Sequence, residues 1–252
     1  MPGLDTPLSQ GRSLVHGLDP RARLLGLCVF SLPLALAHSL AAALLGLVLA
    51  ALLLALARPP AGVVLRRLLA VNFFTAFLWA FVPLGAPGEA LFHLGPLAYT
   101  REGVHLALLL TFKTNAAFLA VTALVASIAP PELGCALQSL GLPEKLCHLL
   151  LMTHRYLFVI QREYQRLFTA ARARGFTPRT SSHTYRTYAW LLGMLLVKSW
   201  DRAERVHQAM LCRGFKGKFY CLTNMRWRPA DALFLGVSLA AALAVFLTGS
   251  LT

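Results

Sequence analysis

No Asp, Glu, Lys or Arg occurs between Leu24 and Leu56, and Arg23 and Arg58 bracket the run. A surface helix of a soluble protein needs a polar face, so a segment this long without charge points to a hydrocarbon solvent. As a single helix rising 1.5 Å per residue it would extend about 50 Å, too long for one crossing of a roughly 30 Å bilayer core. Two tight crossings, about 22–37 and 40–57, fit better, with Pro33 and Ala37-His38-Ser39 offering the turn; one tilted helix remains the alternative. Further apolar stretches run over 68–84, ending in the Pro83–Gly88 cluster, over 104–129, ending at Pro130-Pro131, and from Ala232 to Leu251. The chain is 57% apolar and 13% charged, against about 25% charged in an ordinary soluble domain.

The charge is concentrated. Residues 144–228 hold 16 Lys or Arg against Glu144, Glu163, Asp201 and Glu204, which is +12 of the total +14. Smaller basic clusters are Arg12, Arg21 and Arg23, and Arg58, Arg66 and Arg67, whereas 85–103 has only Arg101 with Glu89 and Glu102. Five crossings with the N-terminus inside place every basic cluster on the cytoplasmic side, as the positive-inside rule requires. The expected architecture is an all-α integral membrane protein of about five transmembrane helices plus two long amphipathic cytoplasmic helices. Its parts are an N-terminal bundle over 1–143, a cytoplasmic segment over 144–228 and a C-terminal transmembrane helix over 229–252. Residues 12–37 also have the makings of a secretory signal, with Ala35-Leu36-Ala37 as a cleavage site. The long polar lead and the second apolar run that follows at once weigh against it.

Within 144–228, Leu146, Leu149, Leu150, Leu157, Ile160, Leu167 and Ala171 recur at helical spacing. That helix ends at Arg174-Gly175-Phe176, with Pro178 beyond. After a polar turn over 177–184, a second helix runs from about Thr187 to Arg213, its stripe being Trp190, Met194, Val197, Trp200, Ala203, Val206 and Met210. Lys198, Asp201, Arg202, Arg205 and Gln208 are expected to face away. It ends on the same triplet, Arg213-Gly214-Phe215. Each triplet suits a plain helix stop, with Gly in the left-handed position and Arg at the negative end of the helix dipole. The pair also suits two guanidinium prongs, since the planar fork binds carboxylates with two hydrogen bonds and stays charged when desolvated.

Chemistry-bearing motifs are missing. There is no G-x-x-x-x-G-K-[ST] phosphate loop, no H-E-x-x-H, no G-x-S-x-G and no carboxylate pair within a span. Cys28, Cys135, Cys147, Cys212 and Cys221 contain no C-x-x-C, which speaks against a zinc site or a disulfide framework. His16, His38, His93, His105, His148, His154, His183 and His207 are scattered, so no metal site is expected; His38 and His93, both external in this topology, form the one pair worth testing. Lys113 and Asn115 fall inside the fourth span, where a charge marks a candidate intramembrane polar site. The duller reading is a lysine bonded to a helix end. The aromatic cluster Phe73–Phe81 suits lipid or subunit packing. Apolar stripes interleaved with the basic residues disfavour nucleic acid and favour anionic lipid.

Four stretches carry a family resemblance: Leu18-Asp19-Pro20-Arg21-Ala22-Arg23-Leu24, Thr153-His154-Arg155-Tyr156-Leu157-Phe158, Ala173-Arg174-Gly175 and Cys212-Arg213-Gly214. In order, they resemble the transmembrane component of energy-coupling factor (ECF) transporters of the cobalt and nickel branch, the CbiQ/EcfT family, although His154 stands where that family has an aromatic residue. The resemblance implies a non-catalytic subunit that binds no cofactor itself. It implies two ABC-type ATPase subunits carrying ATP and Mg, a membrane-embedded substrate-capture subunit and a further small membrane subunit as partners; membrane lipid, and no nucleic acid, are expected from the charge pattern. It also implies that Ala173, Arg174, Gly175, Cys212, Arg213 and Gly214 couple to the ATPases, from the inner membrane, with the N-terminus and coupling helices cytoplasmic. The alternative function is a membrane-embedded lipid- or prenyl-modifying enzyme.

Overall fold

A computed structural model describes residues 13–85, 90–94, 97–217 and 227–250. Arg12, the 86–88 part of the Pro and Gly cluster, Cys221 and Leu251 lie outside the described residues, as does the side chain of His93. The chain divides into two compact units, Met1–Ala136 with Asn224–Thr252, and Leu137–Thr223.

The first unit is a bundle of α1 (Pro20–Leu36), α2 (Leu40–Ala57), α3 (Ala61–Gly85), α4 (Arg101–Leu124) and α8 (Pro229–Ser250). Residues 22–57 therefore form two helices, turned at Ala37 and His38, with Ser39 capping α2 by accepting the amide of Ala42. Among the described residues, four helices, α2, α3, α4 and α8, are long and apolar enough to cross a membrane. The fifth expected crossing, α1, has 17 residues, about 25 Å of helix. Its Phe30 and Leu34 are buried in the bundle core with Ala50, Ala116, Leu119 and Ala120, so α1 is a structural part of the bundle.

The bundle is packed small-side-in. Ala42, Ala43, Gly46, Ala50 and Ala57 are the buried residues of α2; Ala50 and Ala57 meet Ala116, Ala120 and Ala123 of α4. Leu44, Val48, Leu52 and Leu56 point outward. Lipid tails are as apolar as leucine, so close backbone approach of small residues drives such contacts.

Three boundaries differ from expectation for local reasons. Helix α3 begins at Ala61 rather than near Leu68, because a membrane helix can carry Arg66 and Arg67 beyond its apolar stretch. Pro83 lies inside the last turn of α3, where its carbonyl accepts the hydroxyl of Thr100. The span expected over 104–129 stops at Leu124, and Pro130-Pro131 open a helix, α5 (Pro130–Ser139), instead of only ending one; proline suits a first helical turn, where its missing N–H costs nothing. Between α3 and α4 an antiparallel hairpin, β1 (Ala90–Leu94) and β2 (Leu97–Thr100), pairs Phe92 with Tyr99 and Leu94 with Leu97. It decorates an otherwise all-helical membrane fold.

The second unit is built on α6 (Glu144–Ala173) and α7 (Ser182–Cys212). Helix α7 starts within the stretch expected as a turn, since Ser181 caps it by accepting the amide of Thr184. Cys28, Cys147 and Cys212 are free thiols, whereas Cys135 is disulfide-bonded, a departure from the expectation at that position.

Candidate functional site

Helices α6 and α7 form an antiparallel pair. Phe168 stacks on Tyr188 at 6.3 Å near the connection, Glu163 meets Lys198 further along, and His148 lies 6.3 Å from the ring of Phe215 at the far end.

Both helices end in the same hydrogen-bonded motif. At the end of α6 the amide of Phe176 donates to Ala171 O at 3.1 Å and that of Gly175 to Arg172 O at 3.0 Å; at the end of α7 Phe215 donates to Met210 O at 3.0 Å and Gly214 to Leu211 O at 2.9 Å. These are Schellman stops, which place a left-handed residue after the last helical one. Gly175 at φ +85° and Gly214 at φ +80° supply it. The arginine precedes this residue, and the phenylalanine after it turns inward. Phe176 is buried edge-on against Tyr188 at 5.7 Å and Phe168 at 6.4 Å, while Phe215 packs beside His148. Phenylalanine was the unassigned letter of each triplet, and it pins each tip to the opposite helix.

Arg174 and Arg213 are exposed, and neither makes an ion pair or a side-chain hydrogen bond among the described residues. Because the helices are antiparallel, the two arginines lie at opposite ends of the pair. With 31 residues in α7, they are separated by about 45 Å. The two guanidinium prongs are thus two distant contact points. The flanking Ala173 and Cys212 are likewise exposed.

Between the tips, Glu163 is 14% exposed and gathers three cations: Lys198 Nζ at 2.5 Å, Arg166 at 3.7 Å and Arg202 at 4.0 Å. The hydrogen bond from Lys198 is the main influence holding its pKa below the ordinary carboxylate value, against a smaller opposing effect of burial. Lys198 and Arg202 thus turn toward α6, where the sequence had placed them on the outer face. A lone acid in a basic region was the available signal. Beyond this cluster a cavity of about 450 Å³ opens between the helices, lined by Met152, Leu157, Ile160, Val206 and Met210, with His148 and His207 at its edge. Burial pushes the pKa of His148 below the usual histidine value. The α7 stripe divides accordingly: Val206 and Met210 line the cavity, whereas Trp190, Met194, Val197 and Trp200 stay exposed.

Lys113 and Asn115 do not converge. Lys113 Nζ donates to Ala35 O at 2.8 Å, in the last turn of α1. Asn115 exchanges hydrogen bonds with Asn72 of α3 at 3.0 and 3.2 Å. Two residues apart on a helix face different ways, so the pair serves two interfaces. Among the described residues, no three of His, Cys, Asp and Glu group as a metal site.

The profile of a family described as CbiQ, cobalt transport protein, matches residues 11–221. The chain belongs to the CbiQ family. Its likeness to ECF transmembrane components extends through relatives. It is 27% identical over 250 residues to the energy-coupling factor transporter transmembrane protein EcfT of Listeria innocua, covering 91% of each chain. It is 29% identical over 179 residues to the cobalt transport protein CbiQ of Rhodobacter capsulatus, covering 68% of this chain and 72% of that one. A match to the uncharacterized protein MJ1089 of Methanocaldococcus jannaschii, 26% identical over 125 residues, spans 50% of this chain and 46% of that protein. As a CbiQ-family protein with four helices of spanning length among its described residues, the chain is a membrane component of the ECF transporter type.

Proposed function

We propose that this CbiQ-family chain is the coupling subunit of an ECF-type importer, passing ATP-driven motion from two ATPase subunits to a membrane-embedded capture subunit, for cobalt or nickel. The observation that carries the reading is the repeated stop, which presents Arg174 and Arg213 rigidly at the two ends of one hairpin. Ends about 45 Å apart suit two sockets on two separate subunits. ATP and Mg belong to those subunits. Each guanidinium would pair with carboxylates in a groove, and the exposed Trp190, Met194, Val197 and Trp200 face would support the capture subunit. Lipid covers the outward leucines of the bundle. The bundle over 1–143, the coupling segment over 144–228 and the last helix over 229–252 would then be the working parts. The N-terminus and the basic clusters Arg58, Arg66 and Arg67 would lie in the cytoplasm, by the positive-inside rule.

The enzyme reading gains nothing from the site. Asp19 and Asp231 accept backbone amides and Glu163 is held by Lys198, so these carboxylates are already engaged in structural bonds.

The test is recovery of partners with a tagged chain, followed by metal uptake. Two ATPase chains and a small hydrophobic protein should co-purify, and Arg174→Glu or Arg213→Glu should remove ATPase, since reversing one partner of a desolvated ion pair costs about 3–5 kcal/mol or more. Arg186→Gln is the control, being exposed. Lys198 is not, because of its bond to Glu163. Undiminished transport in Arg213→Glu rejects the assignment of that tip.

A further inference from the structure

One carboxylate holds two helix beginnings together. Asp231, with 0% exposure, accepts the amide of Asp19 on Oδ1 at 2.8 Å and the amide of Arg228 on Oδ2 at 2.8 Å. Helices α1 and α8 run in the same direction, from this junction to the contact of Ser39 with Thr248 O, and each begins with proline. Two positive helix ends thus meet, and Asp231 supplies the charge that offsets them. Beside it lies Arg23, 3% exposed. Its guanidinium donates to His16 O and Leu18 O, each at 2.7 Å, and to the hydroxyl of Ser127 at 3.2 Å.

The place of these residues along the chain gives the knot its meaning. The chain leaves the bundle unit after Ala136, shortly past Ser127, and re-enters it at Asn224, shortly before Arg228. Within the bundle unit, Ser127, shortly before the chain leaves it, is bonded to Arg23, and Asp231, shortly after the chain returns, is bonded to Asp19, both at the start of α1. A lever moves its base only if its roots do not yield, and a buried, fully bonded polar network is stiff because each group abandoned inside would be left unpaired.

We propose that Arg23, Ser127 and Asp231 are positioning residues for transport, carrying displacement of the 137–223 segment into the bundle. This rests on the coupling reading above. The contrasting role is capping alone, which would affect assembly and every activity in proportion.

The experiment uses the intact complex, purified through the tagged chain and reconstituted in vesicles, with cobalt(II) and nickel(II) as probes and metal accumulated per ATP hydrolysed as the readout. Ser127→Ala and Asp231→Asn should keep the ATPase chains and hydrolysis within about two-fold, while metal moved per ATP falls at least about five-fold. Arg23→Lys should restore part of what Arg23→Gln loses. An unchanged ratio, or hydrolysis and uptake falling together, overturns the proposal. Where Asp231→Asn does not assemble, Ser127→Ala, a smaller change, decides. If the unaltered chain recovers no ATPase or moves neither metal, the coupling reading has failed first; if it does both and only the variants behave as wild type, this inference alone has failed.

Discussion

Lys198 on α7 donates a 2.5 Å hydrogen bond to Glu163 on α6 and, with Arg202 at 4.0 Å from the same carboxylate, makes a polar tie between two helices that also meet through rings and apolar side chains. Its consequence is a pH dependence of definite sign. The pKa of Glu163 is lowered, chiefly by that bond, from its ordinary 4.5. The folded state therefore favours the ionised form, and the tie contributes stability above about pH 4.5 that is lost as pH falls through the lowered value. Melting of the purified protein followed by circular dichroism should show this loss, and Glu163→Gln should lower the melting temperature at pH 7 while flattening the acid limb. A variant whose acid limb matches the unaltered protein contradicts the assignment.

The helix stops make a second prediction that separates backbone from bulk. A Cβ at Gly175 or Gly214 meets nothing within 4 Å, yet their φ values are +85° and +80°. Alanine there should cost about 1–2 kcal/mol through left-handed backbone alone, and asparagine, which visits that region more readily, should cost less. In the coupling reading each alanine variant also re-aims its arginine. ATPase recovery should then fall more for alanine than for asparagine at both positions. Equal recovery would mean that the stops only end helices.

Close approach in the bundle gives a third. A Cβ at Gly103 would lie 2.5 Å from Pro83 Cα, a backbone atom that cannot swing aside, whereas at Gly236, exposed on α8, nothing lies within 4 Å. Gly103→Ala should destabilise by about 1–3 kcal/mol through overpacking. Gly236→Ala should be neutral or stabilising by up to about 1 kcal/mol, through helix propensity. Melting in detergent measures both, and the reverse order would place the α3–α4 contact elsewhere.

What could be read from the sequence follows from how each signal is encoded. The turn near Ala37–Ser39 and the glycines at 175 and 214 are local: they show as charge-free length, proline and an Arg-Gly ending. Helix α5 was hidden because two adjacent prolines read equally as a stop and as a first turn. Glu163, Lys198 and Arg202 were legible only as surface charges, since their meeting depends on the crossing of two helices. The same holds for Asp231 and Asp19, 212 positions apart. Lys113 and Asn115 looked like one site because they are neighbours in the chain, whereas helical geometry sends them to α1 and α3.

That divergence is itself testable. Lys113 reaches Ala35 O, an acceptor near the end of α1, and Asn115 bonds Asn72 on α3. If they serve separate interfaces, Lys113→Met and Asn115→Ala should each cost about 0.6–2 kcal/mol, the range of interhelical hydrogen bonds in membranes. The double variant should cost their sum within about 0.5 kcal/mol, as independent contacts do. Asn72→Ala combined with Asn115→Ala should instead cost much less than its sum, because the first change already removes the bond. Metal uptake in the intact complex should keep its concentration dependence in Lys113→Met. A Lys113–Asn115 coupling energy as large as that between Asn72 and Asn115, or a shifted half-saturation for uptake, would restore the two as a single intramembrane site.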